Sequence, residues 1–128
     1  FDIPGATRIN TPSIQFLMWV VASSDMFIGI DSGISHIASA FNVPSIIFSG
    51  SVDLRYIHPN MDHIVWIHNH DKKVCDTPFC WHDEMNSTGK SCPINPMRPP
   101  CTNFDDNERI LNAIKKIIYE QSMWSSAN

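Results

Sequence analysis

The apolar run Met26 to Ile30 ("MFIGI") stops at Asp31-Ser32-Gly33, and a pattern with a different period starts directly after it. A short continuous apolar run of this kind reads as a strand covered on both faces of a parallel sheet. Ile34, Ile37, Ala38 and Phe41 then fall at i, i+3, i+4 and i+7, which is one face of a helix. Asn42-Val43-Pro44 ends that helix, and Ser45 to Phe48 ("SIIF") reads as a second buried strand. Strand, helix and strand in so few residues leave little choice but a βαβ unit, with parallel strands and a right-handed crossover.

The flanking sequence extends this unit. His63 to Ile67 ("HIVWI") reads as a third strand. Thr11-Pro12 is a helix-start signal, because Thr caps free N–H groups and Pro suits the first helical position. The stretch "SIQFLMWVVA" that follows is apolar nearly all round, as expected for a helix buried on more than one side. A buried strand is the rival reading there, since Trp19-Val20-Val21 favour extended structure. Asp105 to Glu108 resembles a capping box opening a last helix, with Lys115-Lys116 expected near its end and Ile110, Leu111, Ile114, Ile117 and Ile118 as its apolar stripe. The chain is therefore expected to be α/β: residues 1–68 and 104–128 form the scaffold of a single domain, and residues 69–103 an irregular insertion.

Composition narrows the function. A chain of 128 residues supports one domain with a modest core. Its formal charge of −4, with only Lys72-Lys73 and Lys115-Lys116 adjacent, gives no basic surface to track a phosphate backbone, so nucleic acid is not expected as a partner. The longest apolar run, Phe16 to Ala22, is far short of the roughly 20 residues that span a bilayer and lacks the flanks of a signal peptide. The sequence begins at Phe1, not Met, and reads as a piece of something longer.

Ligands of open α/β sheets bind beyond the carboxyl ends of the strands, where Asp31-Ser32-Gly33 is placed. Gly33 tolerates unusual backbone conformations and lets a ligand approach the main chain. The first N–H groups of the following helix lack internal partners and carry the positive end of its dipole, which suits a phosphate. Ser32 offers a hydroxyl. His36 lies off the helix's apolar stripe, and side chains there lean toward the N-terminus, at the same place. The plainer alternative is a simple strand-to-helix turn capped by Asp31, with a surface histidine.

The stretch "DMFIGIDSGISHIASAFNVPSIIFSGSVD" resembles the signature of the heptosyltransferase family, glycosyltransferase family nine: a strand, Asp, Ser or Thr, Gly, two variable residues, His, small residues, Pro, an apolar strand and Gly. The resemblance runs from about Gly5 to Pro59. It implies the C-terminal half of the two-Rossmann architecture called GT-B, which binds the nucleotide-sugar donor. By position, Ser32, Gly33 and His36 would hold the donor diphosphate, with Asp31 shaping the turn. Ser49-Gly50-Ser51 would be the loop lining the donor site. Arg55 is a further contact or a solvated surface residue. The acceptor-binding half, expected to supply the catalytic base, is missing. An isolated fragment of this kind is thus expected to be inactive, and the catalytic residue is unknown.

Cys75, Cys80, Cys92 and Cys101 crowd the irregular segment with gaps of four, eleven and eight residues, so no CxxC pair is present. In a reducing cytosol one structural metal ion, zinc or iron, would satisfy four thiolates. Two disulfides or four free thiols are the alternatives. His68, His70 and His82 could replace a cysteine, with exposed loop histidines as the default. Family relatives that modify autotransporters are similar in carrying a four-cysteine iron-binding finger near this position, with a different spacing.

The expected function is thus the donor-binding part of a cytoplasmic glycosyltransferase that takes an ADP-heptose-like donor. Its finger would grip a protein acceptor or a neighbouring subunit. The competing expectation is a metal-stapled interaction module on a Rossmann-like scaffold that binds no nucleotide.

Overall fold

The computed structural model of the chain describes residues 4–58, 60–70, 74–80 and 92–126. Strands β1 (Phe27–Ile30), β2 (Ser45–Phe48) and β3 (Ile64–Ile67) form one sheet in chain order, and both pairings are parallel. In register, Phe27 lies opposite Ser45, and Ser45 opposite Ile64. Helix α1 (Ile14–Ala22) precedes β1, α2 (Gly33–Ala40) joins β1 to β2, and the four-residue α3 (Leu54–Ile57) sits between β2 and β3. Helix α4 (Asn107–Ser126) follows the cysteine-rich segment. The architecture is the expected α/β one, a parallel sheet with helices of Rossmann-like character.

Alternation along the strands sends side chains into two cores. On one face Phe27 packs with Leu17, Val21, Ile37, Ala38 and Val43, so α1 and α2 share this side. On the other, Ile46 and Ile67 meet Ala113 and Ile117 of α4, with Phe48, Val65 and Ile114 around them. Helix α4 is tied down at two points. Arg109 donates to the His68 carbonyl at 2.6 Å, and Gln121 donates to the Asp25 carbonyl at 2.6 Å.

Several expectations are corrected. The cap of α1 is Ser13, two residues after Thr11, because the Ser13 hydroxyl is the group that accepts from the Phe16 N–H at 3.2 Å. Helix α1 is not buried on more than one side: Val21 is buried, while Ile14, Phe16, Met18 and Trp19 are exposed. Nor is β1 covered on both faces. Ile28 and Ile30 are 46% and 66% exposed, while α4 packs on Ile46 and Ile67. In α2 the buried residues are Ser35, Ala38 and Ser39, so the inward face is rotated away from Ile34 and Phe41.

Helix α4 is capped by Asp106, not Asp105, whose carboxylate accepts from the Arg109 N–H at 3.1 Å. It runs to Ser126, which places Lys115-Lys116 mid-helix rather than at its end. Leu111 and Ile118 of the expected stripe are exposed, and Ala113 replaces them in the core. Within the former insertion, residues 74–80 and 92–103 hold a short 3₁₀ turn, Pro100–Thr102, and otherwise no helix or strand. His82 and Lys72-Lys73 lie outside the described residues.

Candidate functional site

The turn after β1 is fixed by the backbone and one buried hydroxyl. Asp31 continues the sheet by donating its N–H to the Phe48 carbonyl at 3.1 Å. Ser32 is extended and caps α2. The fully buried Ser35 folds back on it: its hydroxyl accepts from the Ser32 N–H at 3.0 Å and donates to the Ser32 carbonyl at 2.7 Å. Ser35 was not singled out from the sequence, where only its place three residues after a cap marks it. The Ser32 hydroxyl donates to the Ile30 carbonyl at 3.2 Å.

Gly33 is not in the left-handed region, so conformational strain does not explain it. A Cβ built there would meet nothing within 4 Å. The first turn of α2 therefore presents bare backbone to open space, at a helix end that lacks internal partners for its N–H groups.

His36 projects from this turn with its side chain 45% exposed, but it is not a solitary surface histidine. Its ring stacks on that of His58, with centroids 4.4 Å apart and planes 8° from parallel. His58, absent from the sequence reading, follows α3, and its side chain is fully buried. Both Nε2 atoms approach Asp31 Oδ1, at 3.7 Å from His36 and 3.8 Å from His58. These separations are too long for hydrogen bonds. Burial, followed by the neighbouring His36, pushes the His58 pKa below the ordinary histidine value, and Asp31 opposes that shift.

The loop after β2 lies at the same end of the sheet. Ser49 is buried and turns its hydroxyl into its own loop, donating to the Val52 carbonyl at 2.7 Å. The Gly50 carbonyl accepts a hydrogen bond from His70 Nε2, which must therefore carry the proton. Ser51 is half-buried. The Arg55 side chain is 66% exposed but held at one end. It grips the buried Asp53 carboxylate through Nε at 2.9 Å and Nη2 at 2.5 Å, and its head lies 5.9 Å from the centre of the Trp66 ring. The bond and charge of Asp53 raise its pKa.

Cys75, Cys80, Cys92 and Cys101 line one small cavity of about 10 Å³, together with His70. That is the room of a single small sphere. The four are free thiols, Cys101 being the buried one. Burial pushes the Cys101 thiol up, and Cys75, Cys80 and Cys92 all add to the shift, which requires them to be near. Four soft donors are the set that zinc or iron takes, but among the described residues these cysteines are not a group whose ligand atoms all lie within 4.8 Å of one another. His68 and His70 are half-buried rather than exposed loop residues, and their rings lie 5.9 Å apart.

A wider cleft of about 730 Å³ lies at the opposite, amino ends of β2 and β3, between residues such as His63, Ile64 and Glu120. It is at the wrong end of the sheet for a ligand of this fold.

Residues 11–79 match the family model of glycosyltransferase family 9 (heptosyltransferase), more than half of the chain. The chain belongs to glycosyltransferase family 9. No curated protein and no solved structure matches it. The family 9 match spans the Asp31 turn, Ser49-Gly50-Ser51, His58 and Cys75, and stops before Cys80, Cys92, Cys101 and α4. The family implies a nucleotide-sugar donor, and no helix among the described residues is long and apolar enough to cross a membrane.

Proposed function

We propose that this chain is the donor-binding part of a glycosyltransferase that moves a heptose-like sugar from a nucleoside diphosphate to an acceptor hydroxyl. The observation that carries this reading is the bare backbone at Gly33, open to solvent at the carboxyl end of β1, with His36 beside it. In transfer, the acceptor oxygen forms a bond to the anomeric carbon as the bond from that carbon to the diphosphate breaks. The amides of α2 and His36 stabilise charge accumulating on the departing diphosphate. The acceptor proton passes to a base in an acceptor-binding half, which we place outside this chain. The donor is of the ADP-heptose type, and the compartment is the cytoplasm.

Cys75, Cys80, Cys92 and Cys101 would hold one structural zinc or iron ion, whose contribution is to cross-link the segment that carries them. A finger so stapled would meet a protein acceptor or a second subunit, as in the autotransporter-modifying members of the family.

Titration with ADP tests the donor site. His36→Ala is expected to weaken ADP binding about tenfold, close to 1.4 kcal/mol for one charge-assisted contact. Gly33→Ala should also weaken it while moving stability by less than about 1 kcal/mol, since its methyl group enters open space. Unchanged affinity in both variants would remove the turn from the site. A chain that keeps its metal yet binds no ADP would instead support an interaction module. The purified 128-residue chain should transfer no sugar in a donor-hydrolysis-corrected assay. Sustained transfer to an acceptor would overturn the two-half reading.

A further inference from the structure

Donor binding as proposed employs His36 and leaves His58 unexplained. The His58 side chain is fully buried at the carboxyl end of the sheet, where an apolar residue would fill the same space more favourably.

The two histidines differ in how firmly they are held. His36 projects from the first turn of α2 with its side chain 45% exposed. Its helix leaves the ring free to turn, because histidine χ2 is a broad, soft torsion. His58 has no such freedom. Its N–H donates to the carbonyl of the fully buried Leu54 at 2.8 Å, and its side chain is enclosed. The edge of its ring is directed as well. His58 Nε2 and Asp31 Oδ1 face each other at 3.8 Å, two buried atoms with no hydrogen bond among the described residues. A carboxylate only accepts, so the His58 proton belongs on Nε2.

We propose that His58 is a positioning residue for donor binding, its buried ring being the platform that sets the plane of His36. The two planes lie 8° from parallel with centroids 4.4 Å apart, so contact with one fixed face selects one orientation of the mobile ring. Ordering a free side chain opposes binding, and a ring already held in place avoids that loss. Burial keeps His58 below the ordinary histidine pKa, so the platform is neutral and puts no second positive charge behind His36. An aliphatic side chain would fill the space but offer no flat face. Asp31 thereby serves twice: its N–H extends the sheet, and its carboxylate aims the platform.

This inference rests on the proposed donor site, and a double-mutant cycle in the full 128-residue chain separates the two. ADP is the probe. His58→Leu should weaken ADP binding about fivefold in the wild-type background. It should change nothing in the His36→Ala background, where no ring remains to be positioned. His58→Phe, which restores a flat ring, should recover affinity to within about twofold of wild type. In the unmutated chain, NMR should show cross-relaxation between the ring protons of His36 and His58 and an upfield ring-current shift of the His36 signals. A loss of equal size in both backgrounds would mean a merely structural role and overturn the inference. Absence of ring contact in the unmutated chain would do the same, whether or not the variants fold. ADP binding that needs His36 but ignores His58→Leu overturns this inference alone. ADP binding that ignores His36, or no ADP binding at all, overturns the donor reading and this inference with it.

Discussion

Chelation should dissolve the order around Cys75, Cys80, Cys92 and Cys101 while β1, β2 and β3 stay folded. The residues on either side of these cysteines form a 3₁₀ turn and irregular backbone, with little apolar burial to offset an ordering entropy of about 1–2 kcal/mol per residue. A structural metal supplies on the order of 10 kcal/mol of apparent binding energy, far more than the few kcal/mol of a disulfide. Elemental analysis is expected to give about one zinc or iron per chain. After chelation, amide exchange should accelerate at Cys101 and Thr102 and remain slow at Ile46 and Ile47, which are fully buried in the sheet. Four readily alkylated thiols with unchanged exchange, or two intact disulfides, would refute the proposal.

Gly50→Ala should produce the next largest effect and reach the same segment from the other side. A methyl group on Gly50 would stand 2.8 Å from Thr102 Cγ2, 3.1 Å from Cys101 Sγ and 3.2 Å from the Cys101 carbonyl oxygen. Two of those neighbours are a short branched side chain and backbone, so neither yields without moving the turn. Overpacking of this kind costs about 1–3 kcal/mol. Denaturant unfolding should show that loss, and metal content should fall with it because Cys101 is displaced. A stability and metal content equal to wild type would mean that the loop after β2 and the cysteine segment are not in contact as described. Gly33→Ala is the matched control, with the same change of side chain in open space.

The strands were legible because apolar runs bounded by polar turns carry the signal locally; "SIIF" coincides with β2 residue for residue. The helix ends were less so. Thr11-Pro12 and Ser13 are equally good start signals, and only the hydroxyl geometry selects Ser13. Lys115-Lys116 suggested a helix end, yet neither glycine nor proline follows before Ser126, and nothing in that stretch halts the helix. Burial was the least legible property. The side chains of Ile28 and Ile30 are as apolar as that of Ile46 on the same face, and what distinguishes them is that α4 packs on Ile46, a tertiary fact.

The site divides along the same line. Asp31, Ser32, Gly33 and His36 are contiguous and could be grouped by reading along the chain. His58 sits beyond a whole strand and helix, and the parallel topology is what returns it to His36. Arg55 was ambiguous in sequence because its partner Asp53 is two residues away and looks like an ordinary helix cap.

The two faces of the sheet also become available at different times on the ribosome. The face shared with α1 and α2 is assembled from residues that emerge before or with the strands. Its opposite, Ile46 and Ile67, waits for Ala113 and Ile117. At roughly 5–20 residues per second, that wait lasts on the order of several seconds. For that interval the nascent chain shows a greasy, half-built sheet whose open strand edges invite pairing with a neighbour. Holdase chaperones would find their binding window there, and a synonymous change that slows translation between Ile67 and Ala113 would lengthen it without altering one residue of the mature protein.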